Sequence, residues 1–543
     1  MKTCFVTLIA GMLLFSCLHS QAQFKTIAEG PKFEKPEEGF AKILQLKNGN
    51  TFYIHITMKD GINIRIYDAR HKEKISKTLN PSYTDLIERD DIKGIFEINN
   101  DVIVLVNRED EDKIASLYRL IIDGNTGNLK KQQIIGRCKY KWRDRPDLIY
   151  TFFYVSKDPA SDNYALAMLN GNEKDNTKQL EIVHYGSDNN EINRQFCSLP
   201  DKKDAISHFN EMIVMGKEKI CLLLTFSWKA AEKRKSESQS KLVIIEKGKA
   251  TVEYTDLNLH NDLPTVYCMG KYNRVINKIM YISATLVPNI KTNNQYNIYL
   301  DLIDPVTKQI QNITEFGHSE TLNKAYKEIL DLKTDYRGMP QNIIINSDGS
   351  FTVLFEEMEM MFNGQSGGSF TIGTLAITNY NKEGIFQSDY LIPKAHWVVG
   401  DAFMPFYLSK AEIKPQLLLK GDQYKSFVYI NGTKNKHVLF NDTERNDDLA
   451  NTRKKARFAS DTKSKLVRLM YLTDNCDAYK YSLKGSDVLP AREYLFDKLA
   501  KEYTVALLTV SDYDANSNTF TTLKIDSEKS KNKSVSVVWL QPD

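Results

Sequence analysis

The sequence predicts an all-β protein, a β-propeller of about seven to eight four-stranded antiparallel blades. Three observations predict it. First, short β-branched and aromatic runs recur along the chain and are joined by tight turns. The clearest unit spans 341–390. Asn342-Ile343-Ile344-Ile345 turns at Asn346-Ser347-Asp348-Gly349-Ser350 into Phe351-Thr352-Val353-Leu354-Phe355, and runs over 370–380 and 385–391 follow. Second, the units repeat. Their second strands centre near Ile54, Val104, Leu166, Leu222, Tyr281, Leu354, Val428 and Leu507, spaced 50 to 79 residues apart. A propeller blade needs about 40–50 residues plus insertions in its loops. Third, middle strands such as 220–226 and 279–286 are nearly continuous apolar runs, as expected for sheets packed on both faces.

The first unit reads 41–46, a turn at Asn48-Gly49, 51–57, a turn at Asp60-Gly61, then 62–67. Asn-Gly supplies the positive φ that a two-residue hairpin turn requires. The second unit uses 92–98, 101–106, 117–122 and 129–135, the third 150–155, 164–169, 179–185 and 192–199. The fourth uses 211–215, 219–226, 241–246 and 250–254, the fifth 266–269, 278–286, 296–303 and 309–316. The seventh is looser, with 416–419, 426–430, 466–472 and 478–483, and the eighth takes 492–496, 504–510, 519–525 and 535–540. Two separate β domains are the alternative architecture. One decorating helix is expected near 319–333, where Leu322, Tyr326, Ile329, Leu330 and Lys333 share a face, with Ser319 or Thr321 as cap. The stretch 490–502 reads as a strand or the start of a helix.

The N-terminus reads as a secretory signal over 1–22. Lys2 precedes an apolar run from Cys4 to Leu18, too short for a membrane span, and Ser20 and Ala22 suit cleavage before Gln23. The rival is a lipoprotein signal, Leu14-Phe15-Ser16-Cys17, with Cys17 acylated at the outer membrane. Residues 23–40, with Pro31 and Pro36, read as an extended lead-in, and 41–543 as the propeller domain. The protein is therefore expected to be periplasmic or extracellular, with no transmembrane span. Seventy-three basic against 69 acidic residues leave a net charge of +4, which gives no case for nucleic acid.

No motif names an activity. Cys138, Cys197, Cys221, Cys268 and Cys476 are odd in number and none shares a C-x-x-C spacing, so they read as buried small hydrophobes, one disulfide among them being the alternative. The eight histidines outside the signal are scattered, and neither metal nor cofactor is expected. Gly364-Gln365-Ser366-Gly367-Gly368 matches the nucleophile-elbow letters, but a strand rather than a helix follows, so it reads as a hairpin loop. Asp512-Tyr513-Asp514-Ala515-Asn516 starts like a calcium loop, yet Ser517 stands where glycine belongs and Leu523 where glutamate belongs. Trp142, Trp228 and Trp397 lie near element ends and read as caps on apolar edges. The polar insertion from Asn441 to Arg457 changes charge sign within a few residues. Its Asn441, Asp442, Arg445, Arg453 and Lys454 are the candidate partner-binding residues.

With its signal and repeated units, the chain resembles secreted bacterial β-propeller proteins of uncharacterised function. The resemblance is architectural, covers 41–543 and carries over no functional residue. The function expected first is a non-enzymatic binding or scaffold protein of the cell envelope, engaging a protein or glycan through loops on one face. The alternative is a glycoside hydrolase or lyase with carboxylates in the propeller channel.

Overall fold

The computed structural model describes residues 24–57, 59–81, 92–109, 114–139, 153–170, 173, 175–198, 206–229, 236–249, 251–257, 265–286, 296–314, 316–361, 369–399, 403–418, 421–446, 476–497, 503–527 and 534–542. They form an eight-bladed β-propeller. The first blade is Phe40–Gln45, Thr51–Thr57, Gly61–Tyr67 and Glu73–Leu79, each strand antiparallel to the one before. Further blades begin at Ile92, Phe153, Ile206, Thr265, Met339, Phe427 and Tyr503.

The eighth blade joins the two ends of the chain. Lys25–Glu29 pairs antiparallel with Ser534–Gln541, and Phe33–Glu34 continues along the same strand. The segment read as a lead-in is thus the outermost strand of the last blade. Pro31 and Pro36 fall outside both paired stretches, where a missing N–H costs the sheet nothing. The seventh blade also differs from its reading. It is Phe427–Asn431, Lys436–Thr443, Cys476–Leu483 and Arg492–Tyr494. Gln416–Leu417 belongs instead to the first blade, pairing with Phe40 and Ala41. Residues 466–472 lie outside the described residues.

A four-stranded meander reverses at every strand. Connections between first and second, and between third and fourth, strands therefore share one face of the ring. Connections between second and third strands, and between blades, share the other. Apart from 507–518 of the eighth blade, the first face is made of short turns, and side chains stitch it across all eight seams. Asn50 donates to Gly124 O (3.1 Å), Asn99 to Ser187 O (2.6 Å), Lys219 to Pro305 O (3.5 Å) and Asn273 to Gly349 O (2.8 Å). Asn431 donates to Asn346 (3.0 Å) and Asn518 to Thr433 (3.2 Å), while Asp158 accepts from Gly216 N (2.9 Å) and Asp512 from Gln45 N (2.7 Å). The opposite face carries the long connections, including 314–338, 393–426 and 444–475.

Between blades the cores are aliphatic and aromatic. Ile54, Ile56, Ile62 and Ile66 of the first blade meet Val102, Val104, Leu120 and Ile122 of the second. The expected helix is Glu320–Leu330. Ser319 caps it, accepting from Leu322 N at 3.0 Å, and Asp389 in turn accepts from Ser319 N at 2.7 Å. Leu322, Tyr326, Ile329 and Leu330 are buried, whereas Lys333 is exposed beyond the helix end at Asp331, which has φ of 53°. Cys138, Cys197, Cys221, Cys268 and Cys476 are buried free thiols.

Candidate functional site

The innermost strand of each blade leaves one edge facing the axis, a row of N–H and C=O groups with no partner strand. Part of that row is used by the chain itself. Between the sixth and seventh blades, His396–Val399 pairs with Ser369–Ile372 of the sixth, and residues 403–418 then lie across the axial channel. They carry a short helix, Tyr407–Ala411, that the sequence reading did not foresee. Phe406 N donates to Pro340 O of the sixth blade (3.2 Å), Ile95 N of the second to Ile413 O (2.8 Å), and Leu418 N to Gly39 O beside the first (2.8 Å). Lys42 of the first blade and Lys271 of the fifth both reach residues 411–414. In an eight-bladed ring those blades are opposite, so the segment spans the axis.

Bulges prepare the inner strands for this contact. The register shifts at Ile92/Gly94, Phe209/Glu211, Thr265/Tyr267 and Pro340/Asn342, in the second, fourth, fifth and sixth blades. A bulge bends the strand and re-aims the side chain beside it. Glu211, Lys271 and Asn342 are among the side chains gathered around the crossing segment. Lys271 pairs with Glu412, whose Oε1 also accepts from Asn342 at 3.0 Å. The buried Lys42 ammonium donates to the carbonyls of Ala411, Glu412 and Lys414 at 3.1–3.2 Å. Burial lowers its pKa to about 8, against the attraction of Asp512 and Glu412. Burial raises Glu211 to about 7, opposed by Met212 N–H and by the charges of Lys271 and Lys410.

The crossing segment is anchored at its root by buried polar groups. Lys394 pairs with Glu356, both fully buried, and Tyr407 of the helix donates to the other Glu356 oxygen at 2.8 Å. Burial raises the Glu356 carboxyl and lowers the Lys394 ammonium, and their mutual attraction opposes both shifts. His396 is buried and bonds Lys425 O at 3.0 Å. Burial holds its imidazole near pKa 4, so it is neutral at physiological pH.

The candidate partner-binding residues part company here. Asn441 and Asp442 are fully buried in the strand Lys436–Thr443. Asn441 Nδ2 donates to Tyr424 O (2.9 Å) and Ala506 O (2.8 Å), and its Oδ1 accepts from Ala506 N (2.9 Å). It ties the returning connection to the seventh and eighth blades. Asp442 accepts from Arg492 at 3.0 Å and from Asn446 at 3.0 Å, and these hydrogen bonds and charges hold its carboxyl below the usual carboxylate range. Polar composition suggested a loop at these two positions, but the strand continues through them because each side chain has internal partners. Arg445 sits in a short 3-10 turn, Glu444–Asn446. Arg453 and Lys454 lie outside the described residues, as do Trp142 and the Gly364–Gly368 motif.

Other sequence signals resolve into structure. The strands flanking 362–368 pair with each other as a hairpin. Asp514 accepts from Asn516 N (2.9 Å) and the Ser517 hydroxyl (2.6 Å), forming a capped turn. Trp397 is partly buried with the Lys425 ammonium over its ring. No group of three metal-ligating side chains occurs among the described residues, nor does a helix long and apolar enough to cross a membrane.

No family model and no curated protein matches the chain. Solved structures do. A polysaccharide lyase is similar over 86% of this chain and 93% of its own, at 9% identity and a TM-score of 0.37. An α-L-arabinanase of Penicillium chrysogenum is similar over 61% of this chain and 93% of its own, at 8% identity and 0.32. The WD40 domain of SCAP from fission yeast covers 95% and 97%, at 9% and 0.32. No residue or activity is carried across from these proteins.

Proposed function

We propose that the protein is exported and is a non-enzymatic propeller of the bacterial cell envelope, binding a protein or glycan partner through the face that bears its long connections. The observation that supports this reading is the crossing of the axial channel by 403–418. Its carboxylate Glu412 is held by Lys271, and Glu356 at its root by Lys394. The channel is thereby committed to internal contacts. One face is stitched at every seam, leaving the opposite face to carry variable loops on a rigid frame. The connection 444–475 is the leading contact element: Asn441 and Asp442 fix its base, and Arg445, Arg453 and Lys454 supply charge to a partner. The mature chain begins at Gln23 in the periplasm or outside the cell, or at an acylated Cys17 on the outer membrane.

The test is a pull-down from envelope fractions with residues 23–543, beside a variant whose 447–475 is replaced by a short Gly/Ser linker. A partner captured by the first and lost by the second supports the reading. Equal capture by both removes the connection from it.

A second reading, a glycoside hydrolase or lyase, draws on one group. Glu211, held near pKa 7 beside the channel, has the ionisation a general acid needs. Glycan cleavage that disappears in Glu211→Gln, with the fold unchanged, would establish it. Absence of cleavage across a polysaccharide panel would end it.

A further inference from the structure

The seam between the eighth and first blades opens into a cleft of about 1490 Å³ toward the long-connection face. Its floor is a face of the first blade. Along Thr51–Thr57 it presents Tyr53 and His55, along Gly61–Tyr67 Asn63 and Arg65, and along Glu73–Leu79 Ser76 and Thr78. Residues 32–38 form one wall as the chain passes from the outermost strand of the last blade to the innermost strand of the first. That wall is held in place. Lys32 pairs with Asp526 at 2.7 Å, Arg65 lies 4.3 Å over the Phe33 ring, and His55 bonds Glu38 O at 2.8 Å.

We infer that this cleft is a binding site for a neutral oligosaccharide. The floor is a side-chain grid, with neighbours about 7 Å apart along a strand and about 5 Å between strands. Its hydroxyl, amide and imidazole groups both donate and accept, which suits a ligand made of hydroxyls. Tyr53 is only 3% exposed, yet its hydroxyl has no hydrogen-bond partner. A buried polar group is ordinarily satisfied, so this one has a bond to offer a ligand once the wall over it shifts to admit one.

Two other ligand classes fit less well. The lining carries charges of both signs, Lys32, Lys35, Lys59 and Arg65 with Glu34, Glu37, Glu38 and Asp60, so neither an anion nor a cation gains a consistent field. A peptide strand adding to a sheet edge would use Glu73–Leu79, of which only 76–78 border the cleft, and the rest of the floor is a sheet face. The inference rests on the glycan form of the reading above but not on its 444–475 connection, of which no described residue lines the cleft.

The test uses residues 23–543 against an array of neutral linear glucan, mannan, xylan and N-acetylglucosamine oligosaccharides, with charged uronate oligomers printed alongside. Hits are measured by calorimetry. Wild type is compared with Tyr53→Phe and with Asn63→Ala/Thr78→Ala, both checked for an unchanged melting temperature. The expected result is binding of one neutral class, weakened about tenfold in the double variant, or about 1.4 kcal/mol. Absence of binding to every neutral oligomer overturns the inference. So does preference for uronates, or binding that the double variant retains in full.

Discussion

Toward the second blade, the first blade turns Ile54, Ile56, Ile62 and Ile66; toward the eighth, it turns Tyr53, His55, Asn63 and Arg65. Both sets come from the same two strands, since alternate residues of a strand point to opposite faces. The aliphatic face meets a neighbour that follows directly in sequence. The mixed face meets a blade built from the other end of the chain. There Ala41, Ile43, Tyr53 and Tyr67 meet Leu507, Val510, Leu523, Ile525, Val535, Val537 and Trp539. Much of the remaining seam is directional. Trp539 Nε1 donates to Thr51 at 2.9 Å, Gln45 N donates to Asp512 at 2.7 Å, and Gln45 Nε2 donates to Thr519 O at 3.0 Å. Such bonds contribute about 0.5–1.5 kcal/mol each, less than a buried isoleucine, but they are made in one register only. Both seams are held by burial, and the closing seam adds directional bonds that fix its register.

The largest effect is expected where pairing is the only route to closure. Deleting residues 24–29 strips Ser534–Gln541 of its outer partner and removes Phe24 from its buried position. The deletion should lower the melting temperature more than any single substitution below, and should expose 534–541 to protease before any other strand. Proteolysis that begins elsewhere would mean the closing seam is not the weak one.

Next comes the aliphatic seam. Ile54→Ala removes a fully buried side chain packed on the second blade, and should cost about 2–5 kcal/mol in urea unfolding. A cost below about 1 kcal/mol would show that seam to be no tighter than the closing one.

The third effect is pH dependence peculiar to the closing seam. His55 and His71 both border it, and His71 stacks on Trp539 with ring centroids 4.7 Å apart. Burial lowers both below the usual 6.5. A lowered histidine pKa means that the unfolded chain takes up protons first. The stability from keeping these rings neutral is therefore present above pH 6.5 and is lost as pH falls from 6.5 through the folded values. Melting temperature followed from about pH 8 to pH 5 should fall, and fall less steeply in a His55→Gln variant. Parallel curves would place the proton uptake elsewhere, as at His184 or His318, which burial holds near pKa 4.

The legibility of the fold follows the same division. Hairpin turns and apolar middle strands are local, so the repeating units and the helix at Glu320–Leu330 could be read directly. What escaped depends on distant partners. Gln416–Leu417 looks like the opening strand of a seventh unit until Phe40 and Ala41 are beside it. Arg492–Tyr494 reads as the opening of the eighth unit or of a helix until Tyr479–Tyr481 makes it the last strand of the seventh. Lys42, Glu211, Lys271 and Glu412 are ordinary charged residues in sequence, separated by up to hundreds of positions, and only ring closure gathers them about one segment. Asn441 and Asp442 misled for the complementary reason. Polar side chains usually mark solvent, but these two are saturated by partners that no local pattern announces.

The smallest effect on stability is also the sharpest discriminator between the two faces. Tyr53→Phe deletes a hydroxyl that has no partner and leaves the ring, which sits 5.4 Å from Phe33, in place. Removing a satisfied buried hydroxyl would cost about 1 kcal/mol; removing an unsatisfied one should change stability by less than that, or raise it. A neutral or stabilised Tyr53→Phe protein fits a hydroxyl kept for something other than folding, as the cleft inference requires. A loss of about 1–2 kcal/mol would mean that the hydroxyl already has a partner in solution, such as an ordered water, and the closing seam would then be as fully satisfied as the aliphatic one.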